Sequence, residues 1–353
     1  MSGLRLIADD LTGALDSAAR FVPLYGPIPV FWGDLPDPAP THMAIDARTR
    51  EENAAFAGAV ATRLAPALAA GNPAFRKLDS LLRGHVAEEI AASAKKFDHV
   101  VIAPAFPLQG RITRAGRQFF RAEAGWQQIS LDLAGELAAL GVTVAPAVAG
   151  YAAPAGVSLW DAATEDDLDR IVAAGRMLPG KILWCGTAGL AGALAGRGDV
   201  PLPRLPRPIL ALIGSDQPMA KAQLAVLGQR HLVISDAAEA ARVADALAHD
   251  AAVAVSVAVP VGMARGAAAA RIAHIFTAVL RQGAVQAGTL VVSGGATLHG
   301  LCVALGATRL DVDGEIGPGI PTAILRGGAW EGQRIVAKSG GFGDTGFLAR
   351  ILG

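Results

Sequence analysis

Leu4-Arg5-Leu6-Ile7-Ala8-Asp9-Asp10-Leu11-Thr12-Gly13-Ala14-Leu15-Asp16 reads as a short apolar strand, an acidic turn and the start of a helix. An apolar run of this length that ends in a turn is a buried strand rather than a helix. A buried strand that feeds directly into a helix is the opening unit of a parallel sheet with helices on its faces. The turn falls at the carboxyl end of the strand, where open α/β sheets present their ligands. Two adjacent carboxylates, Asp9 and Asp10, stand there. Thr12 and Asp16, four residues apart, share one helical face, and Gly13 leaves the backbone open to close approach.

The same grammar recurs along the chain. Leu4–Ala8, Ile28–Trp32, Met43–Ile45, Ala74–Lys77, His99–Ala103 and Ile182–Trp184 read as strands, with helices over Thr12–Phe21, Glu51–Ala70, His85–Phe97, Ile129–Leu140 and Glu165–Ala174. Residues 201–208 place four prolines in eight positions, which excludes a helix or a central strand and predicts an extended linker. Beyond it, strands are expected at Ile209–Ile213, His231–Ile234, Ala252–Val257 and Leu290–Val292. Helices are expected at Pro218–Gln229, Ala237–Leu247, Ala264–Arg281 and Leu298–Leu305. The expected fold is α/β in two domains, residues 1–200 and 209–353, each a largely parallel sheet flanked by helices; 353 residues suffice for two cores.

Composition excludes several classes. Lys+Arg and Asp+Glu both total 31, which favours neither nucleic acid nor any other polyanion. The most apolar segment, residues 251–261, is interrupted by Ser256 and Pro260 and falls short of a membrane span. Acids stand within the first ten residues and no basic-then-apolar leader is visible, so a cytoplasmic protein is expected. Cys185 and Cys302 lack C-x-x-C spacing, which argues against a disulfide framework and a zinc knuckle. No metal-ligand set is apparent, and G-x-S-x-G is absent.

Lys77-Leu78-Asp79-Ser80-Leu81-Leu82-Arg83-Gly84 ends a second strand with a cation and an anion two residues apart. Lys77 and Arg83 suit a carboxylate or phosphate, and Asp79 and Ser80 suit hydroxyls, so the mixture fits a small sugar acid. Arg48, after the Met43 strand, and Arg111, after the proline turn Pro104-Ala105-Phe106-Pro107, are further candidates for an anionic group.

In the second half Ser293-Gly294-Gly295-Ala296-Thr297 follows a strand and opens a helix, offering backbone N–H groups to an anion. Gly214-Ser215 and Lys338-Ser339-Gly340-Gly341-Phe342-Gly343 repeat the glycine turn. Three such turns in one domain predict a nucleotide site. The literal G-x-G-x-x-G at residues 341–346 leaves no room for a βαβ unit, so it is not a dinucleotide fingerprint, and the Walker pattern is absent.

Taken in order, Asp9–Ala14, Lys77–Gly84, Pro104–Pro107 with Gly110-Arg111, Gly214-Ser215, Gly294–Thr297 and Lys338–Gly343 resemble the four-carbon acid sugar kinase family. The resemblance implies an N-terminal sugar-acid domain and a C-terminal nucleotide domain, with ATP and Mg2+ as cofactors. It places the sugar acid at the loops carrying Asp9, Asp10, Thr12, Gly13, Lys77, Asp79, Ser80 and Arg83, and ATP at Ser215, Gly294, Gly295, Ala296, Thr297, Gly340 and Gly341. Ala296 stands where the family carries an acidic residue, so a carboxylate for magnesium or ribose is missing.

The expected reaction is ATP-dependent phosphorylation of the terminal hydroxyl of a four-carbon sugar acid, with Asp10 or Asp16 as base and Lys77 and Arg83 as charge partners. The partners are then a small sugar acid and ATP, with no nucleic acid and no membrane; monomer and homodimer both stay open. A sugar-acid sensor without turnover is the alternative. A dehydrogenase or aldolase is disfavoured by the missing dinucleotide fingerprint.

Overall fold

The computed structural model of the chain describes residues 3–281 and 287–353. It divides into two compact units, Met1–Val200 and Pro201–Gly353. The first unit opens with β1 (Arg5–Ala8), α1 (Leu11–Tyr25), β2 (Ile28–Trp32), β3 (Met43–Asp46), α2 (Ala54–Ala69), β4 (Ala74–Lys77) and α3 (Val86–Ala94). It continues through β5 (His99–Ala103), a meander of β6 (Arg111–Arg114), β7 (Arg117–Ala122) and β8 (Gly125–Gln128), and α4 (Leu133–Ala139). β9 (Val144–Val148), β10 (Val157–Asp161), α5 (Glu165–Gly175), β11 (Ile182–Gly186) and α6 (Ala188–Leu194) complete it.

Its main sheet runs β2-β3-β1-β4-β11-β5-β10-β9, with every pairing parallel. Central strands such as β5, buried at all five residues, read as unbroken apolar runs because helices cover both faces. One layer holds α1 against α6 and α6 against α5, while α2 packs on α3 and α3 on α4. The chain therefore leaves β1 toward one layer and β3 and β4 toward the other. That change of side at neighbouring strands opens a crevice beyond their carboxyl ends.

The second unit contains β12 (Ile209–Ile213), α7 (Pro218–Ala225), β13 (His231–Ile234), α8 (Ala240–Asp250), β14 (Ala252–Val257) and α9 (Arg265–Arg281). β15 (Thr289–Ser293), α10 (Gly295–Ala304), β16 (Arg309–Glu315), β17 (Pro321–Arg326), β18 (Arg334–Lys338) and α11 (Phe347–Leu352) follow. Its strand order is β13-β14-β12-β15-β18-β17-β16, parallel as far as β18 and antiparallel beyond. α7 packs on α11, whereas α8, α9 and α10 form a separate contiguous set, so the side changes again between β12 and β15. The α/β class holds for both units.

Residues 201–208 carry neither helix nor strand. The Pro201 carbonyl accepts from Glu315 N at 3.0 Å and the Pro206 carbonyl from Thr289 Oγ1 at 2.7 Å, so this proline segment is tied to the second unit. Helix bounds differ from the apolar pattern: α2 begins at Ala54, where the Asn53 side chain accepts from Phe56 N, and not at Glu51. The helix expected from Leu298 already starts at Gly295, because the glycine turn itself forms its first residues. The meander, the strands β9 and β10 at one end of the main sheet, and the antiparallel β16–β18 arm were absent from the sequence reading. Among the described residues no helix is long and apolar enough to cross a membrane.

Candidate active site

Beyond the carboxyl ends of β1, β3 and β4, five acids (Asp9, Asp10, Asp16, Asp46 and Asp79) and the cations Arg50, Lys77 and Arg83 assemble. Asp10 caps α1, its Oδ1 accepting from Gly13 N at 2.8 Å. Asp9 is 3 % exposed, so it is no solvated turn residue. Arg50 forks across both: its Nε and Nη2 donate to Asp9 at 2.8 and 2.7 Å, and its Nη1 donates to Asp10 Oδ2. The same guanidinium lies 3.8 Å from Asp79 Oδ2, which Arg83 holds at 2.8 Å. Burial works against the Arg50 charge, yet Asp10, Asp9 and Asp79 together hold its pKa well above the usual value. Asp79 resists burial through the Arg83 hydrogen bond and the Arg50 charge, which keep it ionised well below the usual range.

Arg50 was missed by the sequence reading, which stopped at Arg48. Arg48 takes a left-handed φ of 58° and points out into solvent. That turn brings Thr49 N and Arg50 N back onto the Asp9 carbonyl at 3.1 and 3.3 Å and so seats Arg50 over the acids. Asp46, at the same strand end as Arg48 but not among the candidate residues, is buried and accepts from Arg48 N at 2.8 Å; burial and the neighbouring Asp10 push its pKa well up.

One turn into α1, Asp16 and Thr12 are both buried. Asp16 Oδ1 accepts from Ser17 at 2.9 Å and lies 3.9 Å from Lys77 Nζ. Burial pushes this carboxyl up to about 6, with Lys77 partly offsetting the rise. Asp10 is raised as well, by burial first, but both its oxygens are already engaged. Gly13 has a steric reason to be glycine: a Cβ there would sit 2.7 Å from Asp10 Oδ1 and 3.3 Å from Lys77 Nζ.

A buried network lies below. Thr49 donates to Glu89, Arg76 lies 3.4 Å from the other Glu89 oxygen, and Arg76 Nε donates to Ser93 at 3.1 Å. It anchors the segment that carries Arg50. Gln118 on the meander donates to the carbonyls of Ser80 and Pro104 at 3.1 and 3.0 Å, which ties β7 to the β4 and β5 loops. Arg111 is half-buried, donates to the Gln109 carbonyl and feels the charges of Asp79 and Arg83. The structure thus groups Asp9, Asp10, Asp79 and Arg83 around Arg50, sets Lys77 beside Asp16, and leaves Arg48 outside.

In the second unit the three glycine turns converge. Gly214 N donates to the Ser293 carbonyl at 2.9 Å and Gly294 N to the Lys338 carbonyl at 3.0 Å. A Cβ on Gly214 would fall 2.0 Å from Thr297 Oγ1, and one on Gly340 would fall 1.8 Å from Ser215 Oγ. Gly294, at φ 113°, stands where an L side chain is strained. No side chain caps α10, so its first N–H groups face the turn as anion donors. Ala296 and Gly341 are exposed. The absent side chains leave a backbone-lined cradle of the kind a phosphate chain occupies. Cys185 and Cys302 take no part: both are buried free thiols, pushed up to about 12 by burial.

Comparison with known proteins follows this division. A sugar-binding N-terminal domain matches residues 4–131 and a nucleotide-binding C-terminal domain matches residues 210–348. A D-threonate kinase of Bordetella bronchiseptica is 29 % identical over 394 residues, covering 98 % of this chain and 95 % of that protein. A D-threonate kinase of Cupriavidus necator is 33 % identical over 270 residues, 64 % of this chain and 63 % of its own. The solved structure of the Haemophilus influenzae protein HI1011 superposes with a TM-score of 0.68 at 19 % identity over 98 % of both chains, which bears on the fold alone. With both domains and the full-length relative in agreement, the chain belongs to the four-carbon acid sugar kinase family.

Proposed function

We propose that this protein is an ATP-dependent kinase that phosphorylates the terminal C4 hydroxyl of a four-carbon sugar acid of the threonate, erythronate or 3-oxo-tetronate type. The observation that carries the reading is the buried Asp16 carboxylate with its Oδ1 3.9 Å from Lys77 Nζ, at the edge of a carboxylate–arginine cluster. In this reading residues 1–200 bind the sugar acid, residues 201–208 link, and residues 209–353 bind the nucleotide. Arg83 and Arg111 pair with the substrate carboxylate, and Asp9, Asp10 and Asp79, held by Arg50, orient its hydroxyls.

Asp16 takes the C4 hydroxyl proton as that oxygen bonds to the terminal phosphorus and ADP departs. A carboxyl poised at about 6 is ionised at neutral pH and still basic enough for that task. Lys77 offsets the negative charge gathering there, since phosphoryl transfer depends chiefly on positioning and charge stabilisation. Gly214, Ser215, Gly294–Thr297 and Gly340 would cradle the ATP phosphates. Mg2+ enters as the ion that travels with those phosphates. Among the described residues no three His, Cys, Asp or Glu side chains group as a metal cage.

ADP release measured against a panel of C4 acids tests the proposal: one acid should drive turnover far above the ATP-only background. Ala296, exposed in the first turn of α10, favours the second reading, a sensor that binds the acid without turnover. Tight acid binding with no ADP release would select it.

A further inference from the structure

Three Lys or Arg residues are buried among the described residues: Arg76, Lys77 and Lys338. Arg76 has Glu89 as its counter-charge and Lys77 has Asp16. Lys338 has none. Its residue is 1 % exposed, and its Nζ donates only to the carbonyls of Ser339 and Gly340, at 3.1 and 3.4 Å. A buried ammonium without an anion is costly, and carbonyl dipoles offset only part of its lost hydration.

Its position explains the arrangement. Lys338 ends β18 and is the register partner of Ser293, which ends β15. The Oγ of Ser293 is buried with no hydrogen-bond partner among the described residues. The Lys338 carbonyl holds Gly294, and its ammonium curls onto the Gly340 turn, whose Cα faces Ser215 Oγ. An unpaired cation and an unpaired hydroxyl thus stand where the three glycine turns meet.

We propose that Lys338 is a phosphate-binding lysine: its ammonium, with the Ser293 hydroxyl beside it, completes the cradle and donates to the phosphate chain of the nucleotide. The assignment rests on the nucleotide reading of the second unit and adds to it a charge that the backbone turns do not supply. The lysine stays protonated throughout, and no bond is made or broken on it. Burial alone draws its pKa down to about 8, the direction expected of an ammonium lacking its anion.

Thermal unfolding of the full chain, wild type and Lys338→Met, is followed alone, with ATP and with inorganic tripolyphosphate. Methionine keeps the shape and removes the uncompensated charge, so the variant alone is expected to unfold at a higher temperature than the wild type. ATP and tripolyphosphate should both raise the wild-type midpoint, and the variant's ATP affinity should fall by roughly tenfold or more. A variant that keeps the full ATP-dependent rise overturns the assignment, whatever its own midpoint. A wild type stabilised by tripolyphosphate but not by ATP keeps the lysine's role and sinks the nucleotide reading; stabilisation by neither sinks both. Should Lys338→Met fail to fold, Lys338→Gln carries the same comparison.

Discussion

In the proposed mechanism Asp16 is where catalysis and stability pull against each other. Burial raises its carboxyl from an ordinary 3.8 to about 6, so the folded protein binds this proton more tightly than the unfolded chain does. Its contribution to stability is therefore full below the unfolded value and is lost as pH rises through about 6. Asp16→Asn is expected to unfold at a higher temperature than the wild type at about pH 8, while turnover falls on the order of a hundredfold or more and the acid limb of the rate profile disappears. Calorimetry and a pH–rate profile check the two halves separately.

Arg50 behaves in the opposite way. Arg50→Ala would leave Asp9, Asp10 and Asp79 facing one another, a loss of about 3 kcal/mol or more in denaturant unfolding. Arg50→Lys should recover charge but not the fork, and so only part of that loss. Asp9 and Asp10 were legible in the sequence because strand, turn and helix follow in immediate succession. Arg50 was not, because its place depends on the left-handed turn at Arg48, and a non-glycine residue with positive φ leaves no mark in composition or spacing.

At the scale of the elements, the parallel strands other than β9, β10 and β18, and the helices other than α6 and α11, were readable since each is a short apolar run or an amphipathic stretch of ordinary length. The Arg111–Gln128 meander carried a signal that went unused. Ala115 and Gly116, both at positive φ, form a two-residue hairpin turn, and β7 places buried Gln118 between partly exposed neighbours. Polar residues on a mostly exposed ribbon hid the pattern. The β16–β18 arm was hidden for another reason: β16 alternates charged and apolar residues, as one-sided antiparallel strands do, and does not match the all-apolar template of its neighbours.

The glycine turns were legible as turns, but not their mutual contact, which depends on strand order. That contact makes a prediction. Gly340→Ala would force a Cβ to within 1.8 Å of Ser215 Oγ, so ATP should no longer stabilise the variant while the sugar acid still does. Paired thermal-shift titrations read this directly.

At the scale of the whole molecule, each unit follows one rule. Its candidate site lies beyond the carboxyl ends of strands where the chain changes side of the sheet: β1 with β3 and β4 in the first, β12 with β15 in the second. On the proposed function ligand recognition is divided by unit, so Asp10→Ala should abolish turnover while leaving the ATP-dependent rise in melting temperature in place. Coupled assay and thermal shift on one preparation check it.

The central claim is that the chain moves a phosphoryl group onto a primary hydroxyl of a four-carbon acid. Phosphorus NMR of the wild type incubated with MgATP and threonate, erythronate or 3-oxo-tetronate observes the product itself. A new phosphomonoester signal split into a triplet by the two C4 protons, growing with ADP, is the predicted result. Acid binding with no monoester formed from any of the three would contradict it.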